Sequence, residues 1–421
     1  MKSDLENRGL NFWALIEFHS ARSMLATRRS FLRAAAASGA AMALSPWVHA
    51  QGAGAKSPQR YRACVIGHTG RGNYGHGLDT CFARIDRVEV VALADPDERG
   101  RAEAQKRCAA ARSYADWRVM LDREKPTLVA VGPRWVEHRV EMLRAAAGLG
   151  AHVYMEKPLA LSLVDADAIV EAARSAKTHI ALAFHSLNAP SVLHLKRQIE
   201  AGLLGDLLEI RTRGKEDHRA GGEDFAVLGT HCLYTLRLFL GAPLWCSARV
   251  SVGGREISRA DAREATEPLG PIAGDSLHAS YAFAGGVQGS FSSQKVSKGP
   301  GGRFQALLLG SKGQAVIHFG MDPQVFFLAD PLWSPGSTGA KWEKVPGDPG
   351  NACQNGLSGQ EACNFRLVSD LLDAVETGRS PVAGVEEGRA VLEMNHAAYA
   401  SQLRGGRVAL PLQDRRHPLA G

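Results

Sequence analysis

The chain has 421 residues, 45% hydrophobic and 22% charged, enough for two or more domains with full cores, which excludes a disordered or low-complexity protein. Its formal charge of +7 is concentrated early: in the first 50 residues Lys2, Arg8, Arg22, Arg28, Arg29 and Arg33 face only Asp4, Glu6 and Glu17, so +4 remains for the rest. That surplus is mild, and no basic stripe interleaved with aromatics accompanies it, which argues against nucleic acid as a partner.

In chain order, the first feature is the twin arginine Arg28-Arg29, followed by an Ala-rich apolar run over 34–48 and the small-residue site "VHA" ending at Ala50. This is the pattern of a Tat-type export signal. The run of about 15 residues falls short of the roughly 20 that span a bilayer. The expectation is therefore a periplasmic or extracytoplasmic protein with no stable membrane insertion after cleavage, a Tat translocase as its partner in export, and Met24 as a candidate start. The Tat route carries folded proteins, so a tightly held cofactor is expected. Seven scattered cysteines with no CxxC read as neither a disulfide framework nor a zinc site.

After the export region (1–50) and a linker (51–59), "YRACVIGHTGRGNYGHGLD" reads as a strand, a turn at Gly67, Gly70, Gly72 and Gly75, and a helix. Such a turn lets backbone approach a pyrophosphate at a helix N-terminus. The next strand, "VEVVALADPD", ends in Asp95, 28 residues beyond Gly67, where a carboxylate suits a ribose 2′-hydroxyl and repels a 2′-phosphate. NAD is favoured over NADP, a preference tempered by Arg99 nearby, which could serve a phosphate. Two further strand-loop-helix units follow, with loops at Gly132-Pro133 and at Glu156-Lys157. Alternating strands and helices imply a doubly wound parallel sheet, whose ligand lies at the carboxyl ends of the strands. Pro133, Glu156 and Lys157 are then expected to face the same crevice as the glycine turn.

At this point the chain resembles the glucose-fructose oxidoreductase and inositol dehydrogenase (Gfo/Idh/MocA) family. The resemblance rests on the turn over 67–75, "ADPD" from Ala94, "GPRWVEH" from Gly132 to His138, "EKP" from Glu156, "AGLLGDLLEI" from Ala201, "LGTH" from Leu228, "LLGSKGQAVI" from Leu308 and "VETGRSPVAGVEEGRAVLE" near the end. It implies a Rossmann domain over 60–183 and an α+β substrate and oligomerisation domain over 184–412, with a large, open, mostly antiparallel sheet and a tail over 413–421. Strand-like runs such as "LLEIRTRG", "VQGSFSSQ" and "FQALLLGS" agree with such a sheet, and late helices are expected over 364–377 and 386–403. The region 331–356 reads as a long loop. The exposed open sheet implies a homo-oligomer.

The resemblance also implies site residues. Lys157 is similar to the family's lysine beside the reacting hydroxyl, His231 to its acid/base histidine, and Gly67, Gly70, Gly72, Asp95, Pro133, His138, Glu156 and Lys157 itself fall on its cofactor edge. The family's D-x-G-x-H-x-x-D pattern is broken here, because Val227 and Tyr234 stand at the acidic positions. Replacement acids are sought in "RGKEDHRAGGEDF", where Lys215, Glu216, Asp217, His218 and Asp224 are substrate candidates, with His185 upstream. No standard metal spacing is present. The implied activity is NAD(P)-dependent oxidation of a secondary hydroxyl on a sugar, cyclitol or glycoside. Alternatives are glycoside cleavage through transient C3 oxidation and elimination, and a non-catalytic sugar-binding relative.

Overall fold

The computed structural model describes residues 60–295, 301–346 and 356–420. The export signal, the linker and Cys353 lie outside them. Six strands, β1 (Tyr61–Ile66), β2 (Val88–Ala94), β3 (Arg112–Tyr114), β4 (Leu128–Val131), β5 (His152–Met155) and β6 (Ile180–Leu182), form one parallel sheet in the order β3-β2-β1-β4-β5-β6. Strand β4, "LVAV", is buried at every position, as expected of a parallel strand covered on both faces. The covering helices include α1 (Glu98–Cys108), α2 (Trp117–Glu124), α3 (Arg139–Gly148) and α4 (Leu163–Ala176). Side chains cap three of them: Asp97 accepts from the Gly100 amide, Asp116 from Arg118 and Ser162 from Asp165. Strand order reverses between β1 and β4, so the loops after both open at the switch point.

One expected element is absent. No α-helix follows the glycine turn, and the first is α1. Residues 70–84 run as successive tight turns instead, with left-handed backbone at Gly70, Gly72, Asn73, Gly75 and Gly77. Five such residues in eight cannot propagate an i→i−4 ladder, although their apolar spacing still buries Tyr74, Leu78 and Phe82.

The second sheet has ten strands. Its spatial order is Glu343–Lys344, Gln324–Leu328, Gly313–His318, Gln305–Gly310, Leu207–Arg213, Gln288–Gln294, Ser276–Ala282, Trp245–Val252 and Val408–Ala409, with Arg255–Glu256 paired to Trp245–Val252. Every pairing is antiparallel except that of Leu207–Arg213 with Gln288–Gln294. Helices Gly229–Leu240 and Val385–Arg404 pack on one face, where Tyr281 donates to the Met394 carbonyl at 2.9 Å and the Val250 amide to Gln402 at 2.7 Å. The late helices are longer than expected, Gly359–Thr377 and Val385–Arg404, and the supposed long loop carries a short helix, Pro335–Thr338, and the strand Glu343–Lys344. The tail returns to the first sheet: Arg415 pairs with Asp167 of α4 at 2.7 Å and with Glu393, and Leu419 is buried.

Candidate active site

Four loops meet at the carboxyl edge of the parallel sheet. The turn after β1 lies so close to the others that side chains are excluded: a Cβ on Gly72 would meet the Arg134 and Trp135 nitrogens, and one on Gly75 the Glu156 side chain and the Gly132 carbonyl. Gly70, at φ 81°, faces open space. A backbone cradle open on one side suits a pyrophosphate, and this is the fit of the site to a dinucleotide. Asp95 stands at the end of β2 but is fully buried. Its carboxylate accepts from the Thr69 amide (3.0 Å), the Thr69 hydroxyl (2.7 Å) and the Asp97 amide (2.9 Å), so here it ties the glycine turn to β2. Arg99 points outward to Glu103 at 3.1 Å.

The loops after β4 and β5 are stapled together by Arg139, a residue the motifs do not reveal. Its fully buried guanidinium donates to the carbonyls of Pro133 (2.6 Å), Glu156 (2.8 Å) and Pro158. Burial pulls its pKa down to about 10, against the attraction of Glu156. His138, expected at the cofactor, caps α3 with its ring half-exposed, 3.6 Å from Glu141.

Glu156 is buried, and burial alone would raise its carboxyl. The hydrogen bond from His76, together with the charges of His76, Lys157 and His185, outweighs burial and holds it at about 2. It accepts from the His76 amide (2.6 Å) and contacts His76 Nδ1 at 2.5 Å. Lys157, next in sequence, buries its side chain and donates from Nζ to the Val227 carbonyl at 2.8 Å. Burial draws the ammonium pKa down, opposed by Glu156 and Glu267.

From the second domain comes His231, in the first turn of helix Gly229–Leu240. Its ring lies between Phe184 and Phe304, with centroids at 6.0 and 6.3 Å, and its buried Nδ1 has no hydrogen-bond partner among the described residues. Burial, with Lys157, His185 and His76 nearby, pushes the imidazole well below its usual range, so it is neutral. His185 completes the cluster. It contacts Asn364 Oδ1 at 2.8 Å, which also accepts from the Tyr154 hydroxyl at 2.7 Å, and burial lowers its pKa to about 4.

The charged run divides. Asp224 is fully buried and accepts from the Lys215 and Glu216 amides and from the Ser293 hydroxyl at 2.6 Å. Glu216 is clamped by Arg213 (2.8 Å) and Arg303 (2.6 Å). Both therefore hold the loop rather than replace the acid absent at Val227. His218 is 78% exposed and Lys215 half-exposed. Asp217 is bound by Arg219, which holds its carboxyl far below the usual range, and the Arg219 charge is felt at Lys157. Among the described residues no group of three or more His, Cys, Asp or Glu is placed to hold a metal ion.

This edge can be compared with known proteins. Residues 61–184 match the model of an oxidoreductase family, GFO_IDH_MocA, described as an NAD-binding Rossmann fold. The match covers less than half of the chain, and over that segment the chain is similar to the family's NAD-binding domain. Levoglucosan dehydrogenase of Pseudarthrobacter phenanthrenivorans is 25% identical over 269 residues, 58% of this chain and 68% of that protein. A glycosyl hydrolase family 109 protein of Shewanella sp. is 25% identical over 224 residues, 46% of this chain and 49% of that one, so the chain spans about half the length of that relative. A solved levoglucosan dehydrogenase, in complex with NADH and levoglucosan, superposes with a TM-score of 0.68 at 20% identity over 84% of this chain and all of the other. At that identity the likeness establishes a shared fold alone, a parallel Rossmann sheet followed by a mostly antiparallel one.

Proposed function

We propose that the protein is an NAD-dependent oxidoreductase acting on a secondary hydroxyl of a sugar, cyclitol or glycoside. The observation that carries this reading is the meeting of two domains at one point: Lys157, delivered by β5 of the NAD-binding sheet, bonds to Val227, four residues before His231. Bound NAD supplies the hydride acceptor. Gly70 and Gly72 would lie along its pyrophosphate, with Pro133 and Glu156 at its inner end. The chain's own residues then hold the alcohol: the Lys157 ammonium stabilises a developing alkoxide, and His231, held neutral, can hydrogen-bond the hydroxyl. Support for a carbohydrate comes from the relatives, which include a dehydrogenase named for levoglucosan and one for D-apiose.

A second reading is favoured by two observations, the family 109 relatives and the loss of the acidic side chain at Val227. In it, the same residues oxidise a glycoside at C3, the acidified C2–H is removed, the aglycone leaves by elimination, water adds and the hydride returns. Export by the twin-arginine route, a tightly held cofactor and pairing of the open sheet face with a second copy belong to the same proposal. The test is to incubate the purified protein with NAD and a panel of free sugars, cyclitols and aryl glycosides, following reduced nicotinamide and released aglycone. Lasting NADH with a free polyol supports the dehydrogenase; aglycone without lasting NADH supports the glycosidase. Sugar binding with neither product would reduce it to a binding relative.

A further inference from the structure

The site holds an imidazole that the motifs do not single out. His76 follows the glycine turn, and three contacts fix it. Its amide donates to Glu156 at 2.6 Å, its Nδ1 meets the same carboxylate at 2.5 Å, and its carbonyl accepts from Asn364 at 2.9 Å. Its ring edge stands on His185, with centroids 5.6 Å apart. A carboxylate against Nδ1 keeps the proton there and leaves the Nε2 lone pair free. No hydrogen bond to Nε2 occurs among the described residues, and the side chain is 29% exposed, whereas His185 and His231 are buried.

We propose that His76, oriented by Glu156, is a further catalytic base of this site, its Nε2 taking the hydroxyl proton of the bound alcohol. The inference rests on the oxidoreductase reading above and deepens it. Of the three clustered imidazoles, His76 is the one with a carboxylate to balance an imidazolium; His231 has an unpartnered Nδ1 and a buried ring. The neighbouring acids are otherwise engaged, Glu216 with two arginines and Asp224 with its own loop, and position 227 is a valine. In the step, the C–H bond gives its electron pair and hydrogen to NAD as hydride. The O–H bond breaks with its proton passing to Nε2, and the carbon becomes a carbonyl. The imidazolium, facing Glu156, then releases the proton to solvent along its exposed edge. Hydride return runs the same path backward.

The test compares wild type, His76→Asn and Glu156→Gln with the best substrate of the panel, measuring kcat across pH, NAD affinity by quenching of tryptophan fluorescence, and rescue of His76→Gly by added imidazole. The groups facing His76 are Glu156 and His185, with His231 and Lys157 beyond, and His76→Asn leaves all four in place. The expected result is a fall in kcat of about 100-fold or more with NAD affinity retained, and partial recovery of His76→Gly with imidazole. A His76→Asn variant with unchanged kcat and pH profile, or one that loses NAD and is not rescued, overturns the inference. If wild type binds NAD but turns over nothing, the oxidoreductase reading fails separately. Nitrogen-15 NMR then still decides the inference: Nδ1 protonated and Nε2 free upholds it, the opposite tautomer overturns it.

Discussion

Lys157 illustrates what a residue's surroundings add to its type. The cation is legible in the sequence from its place between a strand end and Pro158, but its partner, the Val227 carbonyl, lies 70 positions away. Lys157→Met should cost about 10²-fold or more in kcat while leaving NAD bound, as judged by fluorescence titration. Buried histidines set the acid response. His185, His152 and His417 are held near 4 by burial, so the unfolded chain binds more protons between pH 6.5 and 4, and stability falls as pH drops through that window. Glu156 acts lower: depressed to about 2, it contributes stability that is complete above its ordinary range near 4.5 and is lost as pH falls towards 2. Thermal melts from pH 8 to 4, the working range for this test, should show the melting temperature declining mainly below about 6.5.

At the scale of elements, four of the six parallel strands, β1, β2, β4 and β5, are readable because each is an apolar run of its own, whereas the three-residue strands β3 and β6 are too short to carry such a signal. What stayed hidden depends on contacts distant in sequence. The turn over 70–84 has helical apolar spacing, yet its glycines serve close approach to Glu156 and Arg134, and that demand overrides the helix. Gly75→Ala, at φ 57° against the Glu156 side chain, should therefore lower both stability and NAD affinity. Arg139 was illegible because its three carbonyl partners sit on two loops. Arg139→Ala leaves those carbonyls unpaired and should destabilise the fold by about 3 kcal/mol or more, measurable by urea unfolding. In the charged run, composition marks polarity but not direction, and the structure turns Asp224 inward and His218 outward.

For the whole molecule, the active edge depends on two sheets meeting, and the last residues contribute to that. Arg415 ties α4 to helix Val385–Arg404 through Asp167 and Glu393. Ending the chain at residue 412 should lower the melting temperature by several degrees and loosen the approach of His231 to Lys157, so activity should fall further than stability explains. The central claim is that this joined edge performs nicotinamide chemistry on a carbohydrate hydroxyl with Lys157 at its centre. The measurement that bears on it most directly is turnover of the sugar and aryl glycoside panel by wild type and Lys157→Met, with bound nucleotide quantified in both. The account predicts that both proteins hold NAD and that only wild type forms NADH or releases aglycone. Equal turnover by the two proteins, or no turnover by NAD-loaded wild type on any member of the panel, would contradict it.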